Sequence, residues 1–244
     1  MSNLNIFLKN SPNFSKKIRS NKDIKVIVIH YTGMQSEVEA INKLLNPKSK
    51  VSCHYFIKQN GQILNMVGDK HIAWHAGKSK WKNLSSLNNT SIGIELANLG
   101  HDFGYEDFKK KQIYILIKLL KKLIKKYNIK NEYIVGHSDI SPLRKKDPGE
   151  KFPWGKLAKL GIGFWHSLSP KLLTNNRNKI VLKKDRLIFF KYLKKIGFQI
   201  RFGIKKIKYE KKLIKAFQRR FRPENISGII DKESLLIAKK LSNY

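Results

Sequence analysis

The sequence predicts an α/β domain with a mixed central β-sheet flanked by helices, followed by a small all-α domain of three helices. Short β-branched runs alternate with amphipathic helical patterns in the first part of the chain, which is typical of layered α/β proteins. A hairpin signal at Asn60-Gly61 adds an antiparallel strand pair, so we expect a mixed sheet. The predicted domains are residues 1–165 and 181–244, joined by a linker at residues 166–180.

The first predicted strand spans residues 24–30 and ends at His30, because this β-branched run is short and nearly continuous. Ser36 and Glu39 then have the spacing of a capping box, which predicts the start of a helix. Apolar residues at helical spacing follow, and Pro47 is expected to end this helix.

Strands at residues 54–57 and 63–67 are predicted on either side of Asn60-Gly61, since this dipeptide tolerates the positive φ angles of a tight turn. Another strand is predicted at residues 91–96. The apolar side chains of that strand share one face, so Glu95 is expected to point the other way.

The longest predicted helix spans about residues 106–127, with an apolar stripe on one side and lysines on the other. A strand at residues 132–136 is expected to end directly before His137. After a connector at residues 167–179, three short amphipathic helices are predicted, the third capped by Asp231. Their apolar residues are Leu187, Ile188, Phe190 and Leu193; Leu213, Ile214, Phe217 and Phe221; and Leu235, Leu236, Ala238 and Leu241.

The formal net charge of +34 favours association with polyanions such as nucleic acid, anionic lipid or acidic wall polymers. Lysine, isoleucine and asparagine are abundant along the whole chain, however, so compositional bias is an alternative explanation. Because no nucleic-acid-binding motif is present, we expect weak polyanion association and no specific nucleic-acid partner.

Cys53 is the single cysteine, so an internal disulfide is excluded. No apolar run is long enough to span a membrane. Residues 1–20 lack the continuous apolar segment of a secretory signal, which predicts a cytoplasmic protein, or a periplasmic or envelope protein if another export route is used.

His30 and His137 each end an apolar run, and Asp147 follows in a loop that contains Pro142 and Pro148. Loops at strand ends commonly carry functional side chains on a rigid sheet. Two imidazoles and one carboxylate, with one coordination position left open, are typical of a catalytic zinc site. Each histidine taken singly is also consistent with a structural role, and spacing alone leaves that alternative open.

A hydrolytic metal site also needs a base and a cation close to the developing negative charge. Glu95 is a candidate for the base, because it lies on the strand face opposite the apolar side chains. Lys145 precedes Asp147 by two residues, so the same loop would carry it to the site. Alone, however, Glu95 could be a surface residue, and Lys145 is one of 51 lysines and arginines.

Several separate motifs occur in order between about residues 20 and 165. They are Ile29-His30-Tyr31-Thr32, Ser52-Cys53-His54-Tyr55-Phe56-Ile57, Ala73-Trp74-His75-Ala76-Gly77, Asn89-Thr90-Ser91-Ile92-Gly93-Ile94-Glu95, Gly136-His137-Ser138-Asp139-Ile140, Lys145-Lys146-Asp147-Pro148-Gly149 and Phe152-Pro153-Trp154. Together they resemble the zinc-dependent N-acetylmuramoyl-L-alanine amidases, the bacterial enzymes related to peptidoglycan recognition proteins.

The resemblance implies cleavage of the amide bond between N-acetylmuramic acid and L-alanine in peptidoglycan or muropeptides. It implies one zinc per chain, with a role for each of several residues. These are His30, His137 and Asp147 as zinc ligands, Glu95 as catalytic acid/base, Lys145 as oxyanion-stabilising cation, Tyr31 and His54 near the metal, and Trp74, His75, Ala76 and Asn89 in the substrate groove. Some relatives have Cys where this chain has Asp147 and Tyr where it has Cys53, which indicates the bacterial amidase branch here.

The C-terminal residues 214–223 and 228–231 are similar to a three-helix peptidoglycan-binding domain. Such a module would favour polymeric wall as substrate, whereas the absence of a signal peptide favours soluble muropeptides. A helical extension that only packs on the first domain is the alternative. Two rival functions also stand: a non-catalytic peptidoglycan-recognition protein, and a polyanion binder driven by the +34 charge.

Overall fold

The computed structural model describes residues 4–200 and 206–243. The predicted domain ranges also include residues 1–3, 201–205 and 244, which lie outside the described residues. The strands are β1 (Ile6–Leu8), β2 (Phe14–Ser15), β3 (Val26–Tyr31), β4 (Tyr55–Ile57), β5 (Ile63–Asn65), β6 (Ile72–Ala73), β7 (Lys80–Trp81), β8 (Leu84–Ser85), β9 (Ser91–Leu96) and β10 (Ile134–Gly136). The α-helices are α1 (Glu37–Leu45), α2 (Lys110–Tyr127), α3 (His137–Ile140), α4 (Trp154–Lys159), α5 (Pro170–Asn176), α6 (Lys183–Ile196), α7 (Lys206–Phe221) and α8 (Lys232–Leu241).

The main sheet has the strand order β1-β5-β4-β9-β3-β10. Strands β4 and β5 are antiparallel, as the hairpin signal predicted, and the other neighbouring pairs are parallel. The predicted mixed sheet is therefore confirmed. Parallel pairing brings the carboxyl ends of β3, β9 and β10 to one edge, and the pairing register places His30 beside Glu95.

Strand β3 is covered on both faces, which explains its continuous apolar run. Ile27 and Ile29 belong to a core that includes the buried side of α2. Val26 and Val28 belong to a second core that contains Phe189 and Phe217 of the C-terminal helices. His30 follows the same alternation as Val26 and Val28, so its side chain lies on the face away from α2.

Helix α1 begins where the sequence predicted, because the Ser36 side chain accepts a hydrogen bond from the Glu39 backbone N–H at 3.1 Å. Helix α2 begins at Lys110, later than the predicted residue 106. Its buried face includes Gln112, whose side-chain amide donates to the carbonyls of Ile57 and Ala97, 3.0 Å from each. An apolar stripe does not predict this contact, since it depends on the carbonyls of the last residue of β4 and of the residue directly after β9.

The predicted linker contains helix α5, which begins with Pro170 and is capped by the Ser169 side chain. Helices α6, α7 and α8 correspond to the three predicted amphipathic segments, and Asp231 caps α8 as expected. These helices share a core with β3 and β10 instead of forming an isolated bundle. The same core includes Phe198, which follows α6, and Trp81 of β7, whose rings meet edge to face at a centroid distance of 5.2 Å. None of the helices in the described residues has the length and apolar character needed to cross a bilayer.

Candidate metal centre

Three elements bring the predicted ligands to one edge of the sheet. His30 lies near the end of β3, and His137 is the first residue of α3, directly after β10. Asp147 lies in the loop after α3, and its backbone carbonyl accepts a hydrogen bond from the Ser138 N–H at 2.8 Å. This bond holds the loop against the start of α3. All three side chains are buried.

The ligand atoms form a nearly equilateral triangle. His30 Nδ1 lies 3.0 Å from His137 Nδ1 and 3.0 Å from Asp147 Oδ2, and the latter two atoms are 3.1 Å apart. Any two nitrogen ligands of a tetrahedral zinc ion are about 3.3 Å apart, given the usual Zn–N bond length. The three residues can therefore hold a metal ion of this size, as the sequence predicted. The three ligand residues all line the cavity described below.

The electrostatics of the cluster suit a cation. Burial, with some help from His137, lowers the pKa of His30 to about 4, so its imidazole is neutral at pH 7. Burial opposes ionisation of Asp147, but His137 and His30 outweigh it and lower the pKa of this carboxyl below its usual value. Neutral imidazoles and an ionised carboxylate are the forms that bind zinc.

Glu95 lies beside the three ligands, on the face of β9 opposite the apolar side chains, as predicted. Its Oε2 atom is buried and has no hydrogen-bond partner within residues 4–200 and 206–243. Burial raises the pKa of Glu95 well above its usual value, Asp147 raises it further, and Lys145 opposes the shift. Such a carboxyl group holds a proton more readily than an exposed glutamate does, which suits it to proton transfer.

A cavity of about 350 Å³ opens over these residues. Tyr31, Trp74, His75 and Lys145 line it, as do the three ligands and Glu95. The Tyr31 hydroxyl is hydrogen-bonded to His101 Nδ1 at 2.8 Å, so this side chain is held at the cavity rim. Lys145 shares the cavity with Glu95, as predicted from its position before Asp147.

Three of the predicted site residues lie outside the lining of this cavity. His54 is fully buried, and its Nδ1 accepts a hydrogen bond from the Gly93 N–H at 3.0 Å. Ala76 is also fully buried. Asn89 contributes a backbone carbonyl that accepts a hydrogen bond from Arg19 at 3.2 Å. Their predicted contacts with substrate stay predictions, whereas the structure gives each of them a local packing or hydrogen-bonding role.

Two supporting residues were missed by the sequence reasoning. The Asn88 side-chain oxygen accepts hydrogen bonds from the backbone N–H groups of His75 and Ala76, at 3.1 and 2.7 Å. Arg144 donates to the Ala76 carbonyl at 3.2 Å. Asn88 directly precedes the predicted Asn89, so the motif indicated the right segment. Arg144 could not be distinguished from the many other lysines and arginines in the sequence, except by its position beside Lys145.

The chain matches known proteins over the region that builds this site. Residues 20–150 match the family described as N-acetylmuramoyl-L-alanine amidase. The chain is 36% identical over 230 residues to N-acetylmuramoyl-L-alanine amidase AmiD of Escherichia coli (strain K12). The aligned region covers 89% of this chain and 82% of AmiD. It is 35% identical over 162 residues to 1,6-anhydro-N-acetylmuramyl-L-alanine amidase AmpD of Haemophilus influenzae, covering 59% of this chain and 85% of AmpD.

Solved structures share the helical region as well as the sheet. AmiD from E. coli, in complex with the substrate anhydro-N-acetylmuramic acid-L-Ala-D-γ-Glu-L-Lys, matches with a TM-score of 0.79 at 33% identity, over 91% of this chain and 89% of that chain. AmpDh3 from Pseudomonas aeruginosa, in complex with anhydromuramic pentapeptide, matches with a TM-score of 0.79 at 30% identity, over 96% and 97% of the two chains. On the matched family region and the similarity to AmiD over most of both sequences, this chain belongs to the N-acetylmuramoyl-L-alanine amidase family.

Proposed function

We propose that this protein hydrolyses the amide bond between N-acetylmuramic acid and L-alanine, with one zinc ion held by His30, His137 and Asp147. Enzymes of this family are typically zinc-dependent. The observation that carries the proposal is the triangle of three buried ligand atoms beside Glu95, whose Oε2 atom has no hydrogen-bond partner in the part of the chain that the structure describes. When bound, zinc supplies Lewis-acid chemistry and lowers the pKa of water.

Glu95 is proposed as the residue that moves the proton. Its carboxylate accepts a proton from the attacking water and delivers it to the leaving nitrogen of L-alanine. A raised pKa suits both steps, because the group must hold the proton briefly and then release it.

Lys145 is proposed to stabilise the negative charge that develops on the scissile carbonyl oxygen. Its side chain lines the same cavity as Glu95. A preoriented cation stabilises developing charge more strongly than a freely solvated one, and Lys145 is only partly exposed. Tyr31 and Trp74 line the cavity as well, and we propose that they contact the muramoyl or peptide part of the substrate.

Soluble anhydromuropeptides are the proposed test substrates. AmiD and AmpDh3 were each solved with an anhydromuramoyl peptide, and both resemble this chain over nine tenths of its length or more. A cavity of about 350 Å³ is large enough for part of such a ligand. We propose that cleavage of polymeric wall would require the C-terminal helices to bind peptidoglycan.

The domain division also belongs to this proposal. We propose residues 1–165 as the catalytic domain and residues 181–244 as a peptidoglycan-binding-like helical domain. The core shared by α7 and the sheet supports firm docking of the helices on the catalytic domain. Such docking also fits the alternative of a packing extension, and binding of the full chain to insoluble wall separates the two.

We propose a location in the cytoplasm, where soluble muropeptides would be the substrate, or in the cell envelope, where the wall lies. Cell fractionation followed by immunoblotting distinguishes these two compartments. Zinc binding and cleavage can be tested with purified protein in either case.

Product analysis tests the activity and separates it from the two rival functions. The zinc-loaded protein is incubated with an anhydromuropeptide, and the products are separated and weighed by mass spectrometry. We expect a free stem peptide and a free anhydromuramic acid derivative. A recognition protein would bind the muropeptide without cleaving it. A polyanion binder would lose affinity steeply with added salt and ignore chelators.

A further inference from the structure

A chain of hydrogen bonds leads from the metal ligand His30 into the protein. His30 Nε2 lies 3.0 Å from His75 Nδ1, on the side of the ring away from the other ligands. His75 Nε2 in turn lies 3.1 Å from Ser91 Oγ. The Ser91 hydroxyl is also 2.5 Å from the Leu87 backbone carbonyl. The chain therefore ends on an atom that can only accept a hydrogen bond.

The Leu87 carbonyl at the end fixes which atom donates and which accepts in each of these hydrogen bonds. Because the Leu87 carbonyl has no proton, the Ser91 hydroxyl must donate to it, and the Ser91 oxygen is free to accept from His75 Nε2–H. A neutral imidazole carries one proton, so His75 Nδ1 accepts from His30 Nε2–H. His30 Nδ1 is then left without a proton, and this is the atom that faces His137 and Asp147.

The same loop also orients the second histidine ligand. His137 Nε2 lies 3.2 Å from the Ala76 carbonyl, which again can only accept, so the proton of His137 is placed on Nε2. His75 and Ala76 are neighbours in sequence, and Asn88 holds the backbone N–H groups of both. One short loop therefore leaves the Nδ1 atoms of both histidine ligands free to coordinate.

The packing of the His75 ring requires a residue without a side chain at position 93 of β9. A Cβ atom added at Gly93 would lie 2.4 Å from Cγ of the His75 ring, which is far inside van der Waals contact. Gly93 thus leaves the space that this ring fills. Ser91 lies on the same face of β9, two residues before Gly93, which brings its hydroxyl to the far ring nitrogen.

We propose that His75 is a positioning residue that fixes the tautomer and ring orientation of His30 for zinc, and that Ser91 fixes the tautomer of His75. This inference rests on the proposed zinc function. It differs from the sequence-based expectation that His75 contacts substrate. Removal of a hydrogen-bond partner of this kind usually weakens metal affinity by about 10- to 100-fold.

Zinc affinity, measured by competition with a chromogenic chelator, tests the proposal without using activity. We expect His75→Leu, which fills similar space but offers no acceptor, to raise the zinc Kd about 10- to 100-fold. His75→Asn places an oxygen close to the former Nδ1 position, so it should recover most of this loss. A wild-type Kd for His75→Leu, or equal losses in both variants, would overturn the proposal.

A second measurement covers the case in which His75→Leu does not fold. Ser91→Ala keeps the His75 ring in place but removes the hydroxyl that accepts its proton, so we expect a smaller rise in zinc Kd. Nitrogen-15 NMR of the metal-free wild-type protein should show His30 protonated on Nε2. Protonation on Nδ1, or an unchanged Kd in Ser91→Ala, would overturn it.

These readouts separate the positioning role from the proposed function. If the wild-type protein binds zinc but releases no stem peptide, the amidase proposal fails while the variant affinities still decide the role of His75. If peptide is released and the variant affinities equal that of the wild type, the amidase proposal stands and the positioning role fails.

Discussion

Arg220 of α7 and Asp139 of α3 form an ion pair in which each side chain is only 1% exposed. Arg220 also donates to the Ile134 carbonyl at 3.0 Å, and its guanidinium lies 3.9 Å from the centroid of the Trp154 ring. The Asp139 carboxylate accepts a further hydrogen bond from the Gly136 N–H at 2.7 Å. A C-terminal helix thus holds the backbone that immediately precedes His137.

Breaking this ion pair should destabilise the protein strongly. Arg220→Met would leave Asp139 buried without its cation, which typically costs about 3–5 kcal/mol of the free energy of unfolding. Urea unfolding at pH 7 measures the loss. The matched control is Lys109→Met, because the exposed Lys109–Glu106 pair should contribute less than about 1 kcal/mol. Equal effects of the two substitutions would show that the buried Arg220–Asp139 pair stabilises the fold no more than an exposed pair does.

Removing the carboxylate ligand should remove the metal. We expect Asp147→Ala to bind zinc far more weakly, because two imidazoles alone leave a tetrahedral site half filled. Zinc content after dialysis, measured by atomic emission, gives the result. Asp102→Ala is the control, since Asp102 lines the same cavity but is largely exposed and away from the ligand triangle. Full zinc occupancy in Asp147→Ala would reject Asp147 as a ligand.

The proposed proton carrier should be needed for turnover and not for metal binding. Glu95→Gln keeps the size of the side chain but cannot take up a proton, so kcat should fall by about 10²- to 10⁴-fold. Zinc content should match that of the wild type. Steady-state cleavage of a muropeptide measures kcat, and the exposed Glu39→Gln serves as the control. Unchanged turnover in Glu95→Gln would assign the proton transfer to another group.

A buried carboxylate away from the metal should control stability at acid pH. Asp69 accepts hydrogen bonds from Tyr127, Lys126 and Tyr55 at 2.5, 2.9 and 2.7 Å. Burial alone would raise its pKa, but these partners outweigh burial and lower it. A lowered folded-state pKa stabilises the protein above the unfolded pKa, and this contribution is lost as the pH falls through the folded pKa.

Comparison of the wild type with Asp69→Asn tests this dependence. At pH 7 the variant should be less stable by about 1.5–3 kcal/mol, the usual contribution of hydrogen bonds to a charged group. The difference should shrink below about pH 4, where the unfolded carboxyl of the wild type is protonated. Urea unfolding at pH 7 and pH 3 measures it. A difference that is the same at both pH values would contradict this account.

Local pattern predicted most of the fold and the chemistry of the site. The Asn60-Gly61 turn, the apolar face of β9 and the cap at Ser36 depend on neighbouring residues, so they could be read from sequence. The direction of Glu95 followed from strand alternation alone. The ligand set, however, needed several motifs in order, because a single histidine at a strand end has many structural uses.

Contacts between segments that lie far apart in sequence could not be predicted from local sequence pattern. Gln112 is buried where its side-chain amide donates to the Ile57 and Ala97 carbonyls, which lie far from it in sequence. Arg220 differs from the chain's many other cations only through the position of α7 against Asp139. The sequence predicted a place for His75 in the substrate groove, which stays a prediction, but it did not predict that one ring nitrogen lies 3.0 Å from His30 Nε2. Each of these three contacts depends on how distant segments pack together, and the spacing of residues in the sequence does not specify that packing.

Cleavage of an anhydromuropeptide in ¹⁸O-labelled water tests the central claim most directly. If zinc-dependent hydrolysis of the muramoyl–L-alanine amide occurs, mass spectrometry should show one ¹⁸O in the muramoyl carboxylate and none in the stem peptide. Removal of zinc by a chelator should abolish the labelled product, and added zinc should restore it. Label in the stem peptide, or unchanged cleavage after zinc removal, would contradict the account.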